Sequence, residues 1–341
     1  MAEGEALRVG RMGERVSVVT TVCNEGENIH RLLDSLAIQS RPPDEAVICD
    51  GGSTDDTLDI LRSYAQEGKV PLRVIVRPGA NISQGRNAAI AEAKGAIIAV
   101  TDAGVRLESE WLASLTAPFE QDSRTQVVSG FFAPDPHSVF EIALGATILP
   151  VLADIDPLRF MPSSRSVAFR HEAWKAVGGY PEWIDYCEDL LFDFALRERH
   201  GPFAFAPQAL VHFRPRPNLA AFFRQYYRYA RGDGKADLWR KRHAARYLTY
   251  LIATPLLILL SLLHTPLWLL AFLVGGTIMF YTPYKRLLPM MRSLSLQEKC
   301  QAVIWVPVIR VTGDVAKMTG YPGGWWWRWR HRQQIPARYP H

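Results

Sequence analysis

The stretch VSVVTTVCNEGENIHRLLDSLAIQSRPPDEAVICDGGSTDD, residues 16–56, decides the fold class. Val16 to Val22 is an apolar, β-branched run, and Asn28 to Ile38 sets Ile29, Leu32, Leu33 and Leu36 at helical spacing. Glu45 to Cys49 is a second apolar run, ending in Asp50-Gly51-Gly52-Ser53. The alternation continues with a helix over Asp56 to Tyr64, a strand over Leu72 to Val76, a helix over Ser83 to Ala93 and a strand over Ala96 to Thr101. Strands apolar on both faces, alternating with helices, predict an α/β fold with a mostly parallel sheet covered on each side. Ligands of such sheets bind beyond the carboxyl ends of the strands. Asn24, Glu25, Asp50 and Asp102 gather there.

After Asp102 the pattern loosens. Glu110 to Leu115 reads as helix, Gln126 to Phe132 as strand, and Val139 to Leu149 as a buried core helix or one lying near a membrane. A short strand over Ser166 to Phe169 leads into a helix over His171 to Val177, closed by Gly178-Gly179-Tyr180-Pro181. Glu188 to Arg197 and Leu219 to Tyr229 are helices, with a strand over Ala209 to Phe213 between them.

Of 341 residues, 48% are hydrophobic and 21% charged, ordinary for a globular chain, but the distribution is lopsided. Acidic residues fall almost wholly before position 200, and Tyr247 to Tyr284 contains no Asp, Glu, Lys or Arg. That run far exceeds the roughly 20 residues that span a bilayer core. It divides at His264-Thr265-Pro266 into two arms, which predicts a transmembrane hairpin. Basic residues flank it (Arg240, Lys241, Arg242 and Arg246, then Lys285, Arg286 and Arg292), so the net charge of +5 suits membrane lipids and a phosphate-bearing substrate better than nucleic acid. Ala302 to Val311 reads as an interfacial or re-entrant helix, and Trp325, Trp326, Trp327 and Trp329 among arginines read as an interface anchor. The four cysteines form no CxxC pair, and Cys23 and Cys49 read as buried thiols. The N-terminus has no signal-peptide core, which predicts a cytoplasmic head.

Several polar groups carry candidate chemistry. Asp50 can accept hydrogen bonds from a base or sugar, although its loop also serves as an ordinary lead into a helix cap. Arg86 in the opening turns of a helix can grip a diphosphate, or be a solvated surface residue. Asp102, a single carboxylate at a strand end, suits a hard divalent cation that carries phosphate oxygens, or a cap for the next element. Glu188 and Asp189 open a helix, where the local field favours acids even without catalytic duty. Arg224, Arg228 and Arg231 share one helix face, with His212, Arg214 and Arg216 nearby in sequence, fitting phosphates or lipid headgroups.

In this order, VSVVTTVCNEGENI, ICDGGSTDDT, GRNAAIAEAKGAIIAVTDAG, GGYPEWIDYCEDLLF and FRQYYRYARG resemble the family 2 glycosyltransferases, bacterial membrane-attached type. The resemblance implies a head of the glycosyltransferase A type, which binds nucleotide-diphospho-sugars. It implies donor-binding roles for Glu25, Asp50, Arg86 and Asp102, with Asp102 also the metal ligand for Mg²⁺ or Mn²⁺. Gly51 and Gly104 stand where the family carries second acids. Asp189, paired with Glu188, matches the catalytic base. Gln225 and Arg228 match the Gln-x-x-Arg-Trp motif of processive members, with Tyr229 in place of Trp, and with Arg214 they are the candidate acceptor or phosphate contacts.

The implied organisation is a tail over 1–14, a catalytic domain over 15–235, and a membrane domain over 236–341 with an interfacial C-terminal segment. The implied activity is inverting transfer from a nucleotide-sugar to a lipid-linked or glycan acceptor at the cytoplasmic membrane face, as in cell-envelope polysaccharide synthesis. A polyprenyl-phosphate sugar synthase and a non-catalytic membrane sensor of nucleotide-sugars are the alternatives.

Overall fold

The computed structural model describes residues 13–333 and 335, so the expected tail over 1–14 lies outside the described residues except for Gly13 and Glu14. The regular opening is as the apolar runs require: β1 (Val16–Val22), α1 (Ile29–Ala37), β2 (Glu45–Asp50), α2 (Thr57–Glu67), β3 (Leu72–Val76), α3 (Ile82–Glu92) and β4 (Ile97–Val100). β2 and β4 are buried along their whole length, which is why they read as continuous apolar runs. Ile29, Leu32, Leu33 and Leu36 form the buried face of α1. A reciprocal cap between Asn81 and Gln84 starts α3 one residue earlier than the sequence reading placed it.

Next come β5 (Val105–Leu107), α4 (Trp111–Gln121), β6 (Val127–Pro134), α5 (Val139–Ile148), β7 (Val167–Arg170), α6 (His171–Ala176), α7 (Glu188–His200) and β8 (Ala204–Phe213). Eight strands form one sheet in the order β3-β2-β1-β4-β7-β6-β8-β5. β3, β2, β1 and β4 are mutually parallel, but β7 runs antiparallel to β4, and β6 antiparallel to β7. The sheet is therefore mixed, which corrects the expectation of a mostly parallel one. The β-α-β repeat that enforces parallel pairing stops at β4, and later strands join without that crossover unit.

The chain then continues through α8 (Leu219–Ala236), α9 (Arg240–Tyr247), a π-helical stretch Leu248–Ala253, α10 (Thr254–Leu263), α11 (Leu270–Met290) and α12 (Leu296–Arg330). Two compact units result, one of residues 13–132, 156–182 and 195–212, the other of 133–155, 183–194 and 213 onward.

The first unit carries the α/β core. Cys49 is buried in it, with its thiol pushed up to about 11 by burial, whereas Cys23 is exposed just past the end of β1, contrary to the sequence reading.

The second unit is helical. α5 is a core helix: Phe140, Ala143 and Leu144 pack with Phe222 of α8 and Ile309 of α12, while Ala146 packs with Leu287 of α11 and Ala302 and Val306 of α12. α12 runs on through Pro307, Pro322 and several glycines, at 35 residues, where the sequence reading saw separate pieces. A Cβ on Gly320 would strike the Tyr227 carbonyl oxygen, and one on Gly324 that of Arg231, so these glycines let α12 lie against the α8 backbone. Two runs of this unit, Arg240–Leu263 and Pro266–Met290, are long and apolar enough to cross a membrane by length and composition. They part at His264 and Thr265, the division seen in the sequence.

Candidate active site

In the first unit, parallel pairing of β2, β1 and β4 brings the segments after those strands side by side. Asn24, just past β1, sits in the left-handed region at φ 54°. Its side-chain oxygen accepts hydrogen bonds from the Thr54 N–H at 2.8 Å and the Thr54 hydroxyl at 3.3 Å. The Thr57 hydroxyl accepts from the backbone N–H groups of Glu25 and Gly26 at 2.9 and 2.8 Å. These contacts lock the loop after β1 onto the loop after β2. Glu25 is partly buried, and its Oε2 would lie 3.5 Å from a Cβ built on Gly104. The glutamate therefore faces the turn where the family carries a second acid.

Asp50 is fully buried. One carboxylate oxygen accepts from the Gly52 and Ser53 N–H groups at 2.8 and 2.9 Å, and the other from the Ser53 hydroxyl at 2.5 Å. Its charge thus fixes the Gly51-Gly52-Ser53 turn. Gly52 sits at φ 99°, where a Cβ would approach Pro78 Cα to 3.0 Å, so this turn needs a glycine.

Arg86, in the second turn of α3, is 4% exposed. Its Nη2 donates to Asp102 Oδ1 at 2.8 Å, and its guanidinium lies 5.3 Å from the centre of the Tyr180 ring. The surface-arginine reading is excluded. Asp102 also meets Arg165, whose Nε stands 3.5 Å from Oδ2. The sequence reading missed Arg165. Antiparallel pairing of β4 with β7 matches Val100 to Val167, and extending that register by two residues sets Arg165 opposite Asp102. No local pattern in the sequence announces such a pairing. A groove of about 880 Å³ lies along α3 between Arg77, Asn87, Trp174 and Lys175, and its lining includes none of the candidate residues.

In the second unit, α7 opens with Glu188, which is buried, and Asp189, which is half-buried. Cys187 precedes them at φ 70°. Its Sγ lies 3.5 Å from both the Tyr229 carbonyl oxygen and Asp233 Oδ1. Burial pushes this thiol well up, and the carboxylates of Asp233, Asp189 and Glu188 push it further, so it stays neutral and is no nucleophile. Gly232 of α8 presses on the same turn: a Cβ there would stand 2.7 Å from the Tyr186 carbonyl oxygen and 2.9 Å from Cys187 Sγ. Lys235 reaches Asp185 at 2.8 Å and lies 4.5 Å from the centre of the Trp327 ring. The turn leading to Asp189 is thus held by α8 and α12.

The other residues of the α8 motif adjoin that turn. Gln225 donates to the Tyr229 hydroxyl at 2.8 Å, and the Arg228 guanidinium lies 5.8 Å from the centre of the Tyr186 ring. Arg224, Arg228 and Arg231 are all exposed, the basic stripe their spacing predicts. Arg214 is employed inside the unit: it grips the buried carboxylate of Glu141 through contacts of 2.8, 3.1 and 3.2 Å. Among the described residues, no group of three or more His, Cys, Asp or Glu side chains is placed to hold a metal ion. Asp102 is a single carboxylate, and its two oxygens face the guanidiniums of Arg86 and Arg165.

Residues 17–147 match the family described as Glycosyl transferase family 2. The succinoglycan biosynthesis protein ExoA of Rhizobium meliloti is 26% identical over 237 residues, covering 64% of this chain and 68% of that protein. The glycosyltransferase AglE of Haloferax volcanii is 32% identical over 100 residues, 28% of this chain and 33% of AglE. Among solved structures, the mannosyltransferase PcManGT of Pyrobaculum calidifontis, in complex with GDP-Man and Mn²⁺, superposes with a TM-score of 0.60 at 18% identity, covering 89% of this chain and 87% of that one. The chain is a glycosyltransferase with a glycosyltransferase A-like α/β fold, related to the family 2 enzymes of bacteria and archaea.

Proposed function

We propose that this glycosyltransferase moves a sugar, with inversion, from a nucleotide-diphospho-sugar to a lipid-linked acceptor at the cytoplasmic face of a membrane. The arrangement of Arg86 and Arg165 about Asp102 carries this reading. Two guanidiniums at the carboxyl ends of parallel strands suit a diphosphate, and charge that builds on it as the glycosidic bond breaks is stabilised by fixed donors. Glu25 and the turn held by Asp50 would receive the nucleoside. Asp102 would hold Mg²⁺ or Mn²⁺, which supplies further neutralisation of the leaving diphosphate when bound. The acceptor hydroxyl would lose its proton to Asp189 as its oxygen attacks the anomeric carbon. Gln225 and Arg228, beside the turn that leads to Asp189, would meet the acceptor.

Membrane attachment is supported by the apolar surface of the helical unit, where Leu251, Ile252, Leu262, Leu263, Leu273 and Ile278 are each more than half exposed. Patches of that extent mark contact with lipid or another partner. The test is a screen of nucleotide-sugars with the full chain in lipid bilayers, with product read by mass and anomeric configuration. A product that keeps the donor's configuration would overturn the inverting assignment.

A further inference from the structure

One face of α12 carries Arg310, Asp314 and Lys317, spaced so that their side chains are neighbours. Asp314 is buried and its oxygens are engaged: Arg246 Nε donates to Oδ1 at 2.7 Å, and the Tyr250 hydroxyl donates to Oδ2 at 3.1 Å. Arg310 Nε lies 3.7 Å from Oδ2, too far for a hydrogen bond, and is buried with no hydrogen-bond partner among the described residues. The Lys317 ammonium is stationed 4.7 Å from the centre of the Tyr226 ring, whose π face attracts the cation. Burial brings Lys317 down to about 8, helped by Arg246 and Arg310 and opposed by Asp314 and Asp233. Asp233 itself is 3.1 Å from His243 Nε2. Three cations thus surround one neutralised carboxylate, and two of them have donors to spare. Round the same helix, Val308, Val311 and Val315 are exposed, as are Leu248 and Leu251 just after α9. A hydrated anion gains nothing from such neighbours, whereas a lipid gains burial of its chains.

We propose that Arg310 and Lys317, backed by Arg246, bind the phosphate group of a membrane-embedded lipid. The proposal rests on the reading of the chain as a membrane-attached transferase, and the phosphate could belong to bulk anionic phospholipid or to a phosphate-bearing acceptor. The test measures equilibrium binding of radiolabelled phosphatidylglycerol and of radiolabelled polyprenyl phosphate to the full chain in neutral detergent, with inorganic phosphate as competitor. Arg310→Gln and Lys317→Gln should each weaken lipid binding about tenfold, the loss of one charge-assisted contact. Lys317→Arg should retain it, and none of the three should lower the thermal midpoint. Tighter binding of polyprenyl phosphate would assign the site to the acceptor, and equal binding would assign it to bulk lipid; both support the proposal. Unchanged affinity in both glutamine variants would overturn it, as would inorganic phosphate binding as tightly as the lipids. Flotation of the wild-type chain with phosphatidylcholine vesicles reads attachment separately, so that reading can fail or stand on its own.

Discussion

Replacing Arg214 by Gln tests whether this arginine serves the protein interior or a phosphate. The Glu141 side chain is 1% exposed, and Arg214 reaches it through three contacts of 2.8 to 3.2 Å. Without Arg214, the hydrogen-bond donor left to the carboxylate among the described residues is the His137 N–H at 2.7 Å. Removing one partner of a buried ion pair costs about 3–5 kcal/mol. Arg214 is itself 45% exposed, which favours the lower end, about 3 kcal/mol, or a fall in thermal midpoint of roughly 6 °C.

The effect should depend on pH. Burial alone would raise Glu141, but hydrogen bonds from Arg214 and the His137 N–H, with the Arg214 charge, outweigh it and hold the group below the usual carboxylate range. A carboxyl lowered on folding stabilises the protein above its unfolded value, and that contribution is lost as pH falls through the folded value. The gap between wild type and Arg214→Gln should therefore be widest near pH 7.5 and narrow towards pH 4. Thermal unfolding in detergent at both pH values measures it, with Glu141→Gln as the companion variant. An unchanged midpoint, together with a raised KM for acceptor, would refute the structural assignment and return Arg214 to phosphate binding.

Other substitutions probe the two units separately. Arg165→Gln should lower kcat/KM for the donor by roughly tenfold, and Arg86→Met by more because the Arg86 side chain is buried; steady-state kinetics across donor concentrations reads both. Asp189→Asn should cut turnover about 10²- to 10⁴-fold while leaving donor affinity, measured by calorimetry, intact. Gly232→Ala should crowd the Tyr186 carbonyl and the Cys187 thiol, costing about 1–3 kcal/mol in thermal stability and lowering kcat with little change in donor affinity.

The first half of the sheet was legible because β1 to β4 read as largely apolar runs and β1, β2 and β3 are each followed by a helix-spaced segment. The loops that follow those strands could be located for the same reason. What stayed hidden was pairing between distant segments. The reversal of β7 against β4, and with it the approach of Arg165 to Asp102, depends on register rather than on any local signal. Glu141 and Arg214 are 73 positions apart, so neither residue advertises the other. The length of α12 was masked by its own composition. Its glycines and Pro322 are poor helix formers, but tertiary packing on α8 outweighs their low propensity. The basic stripe of α8 was readable, since spacing alone sets its three arginines on one face.

The central claim, transfer of a sugar from a nucleotide-sugar to a membrane acceptor, is tested most directly by product analysis. The full chain in bilayers containing total membrane lipid is supplied with a panel of labelled nucleotide-sugars, and lipid-soluble product is identified by mass. The account predicts one donor giving a glycosylated lipid with inverted anomeric configuration, lost in Asp189→Asn. Donor binding without any product across the lipid and metal conditions would contradict it and leave the chain a sensor of nucleotide-sugars.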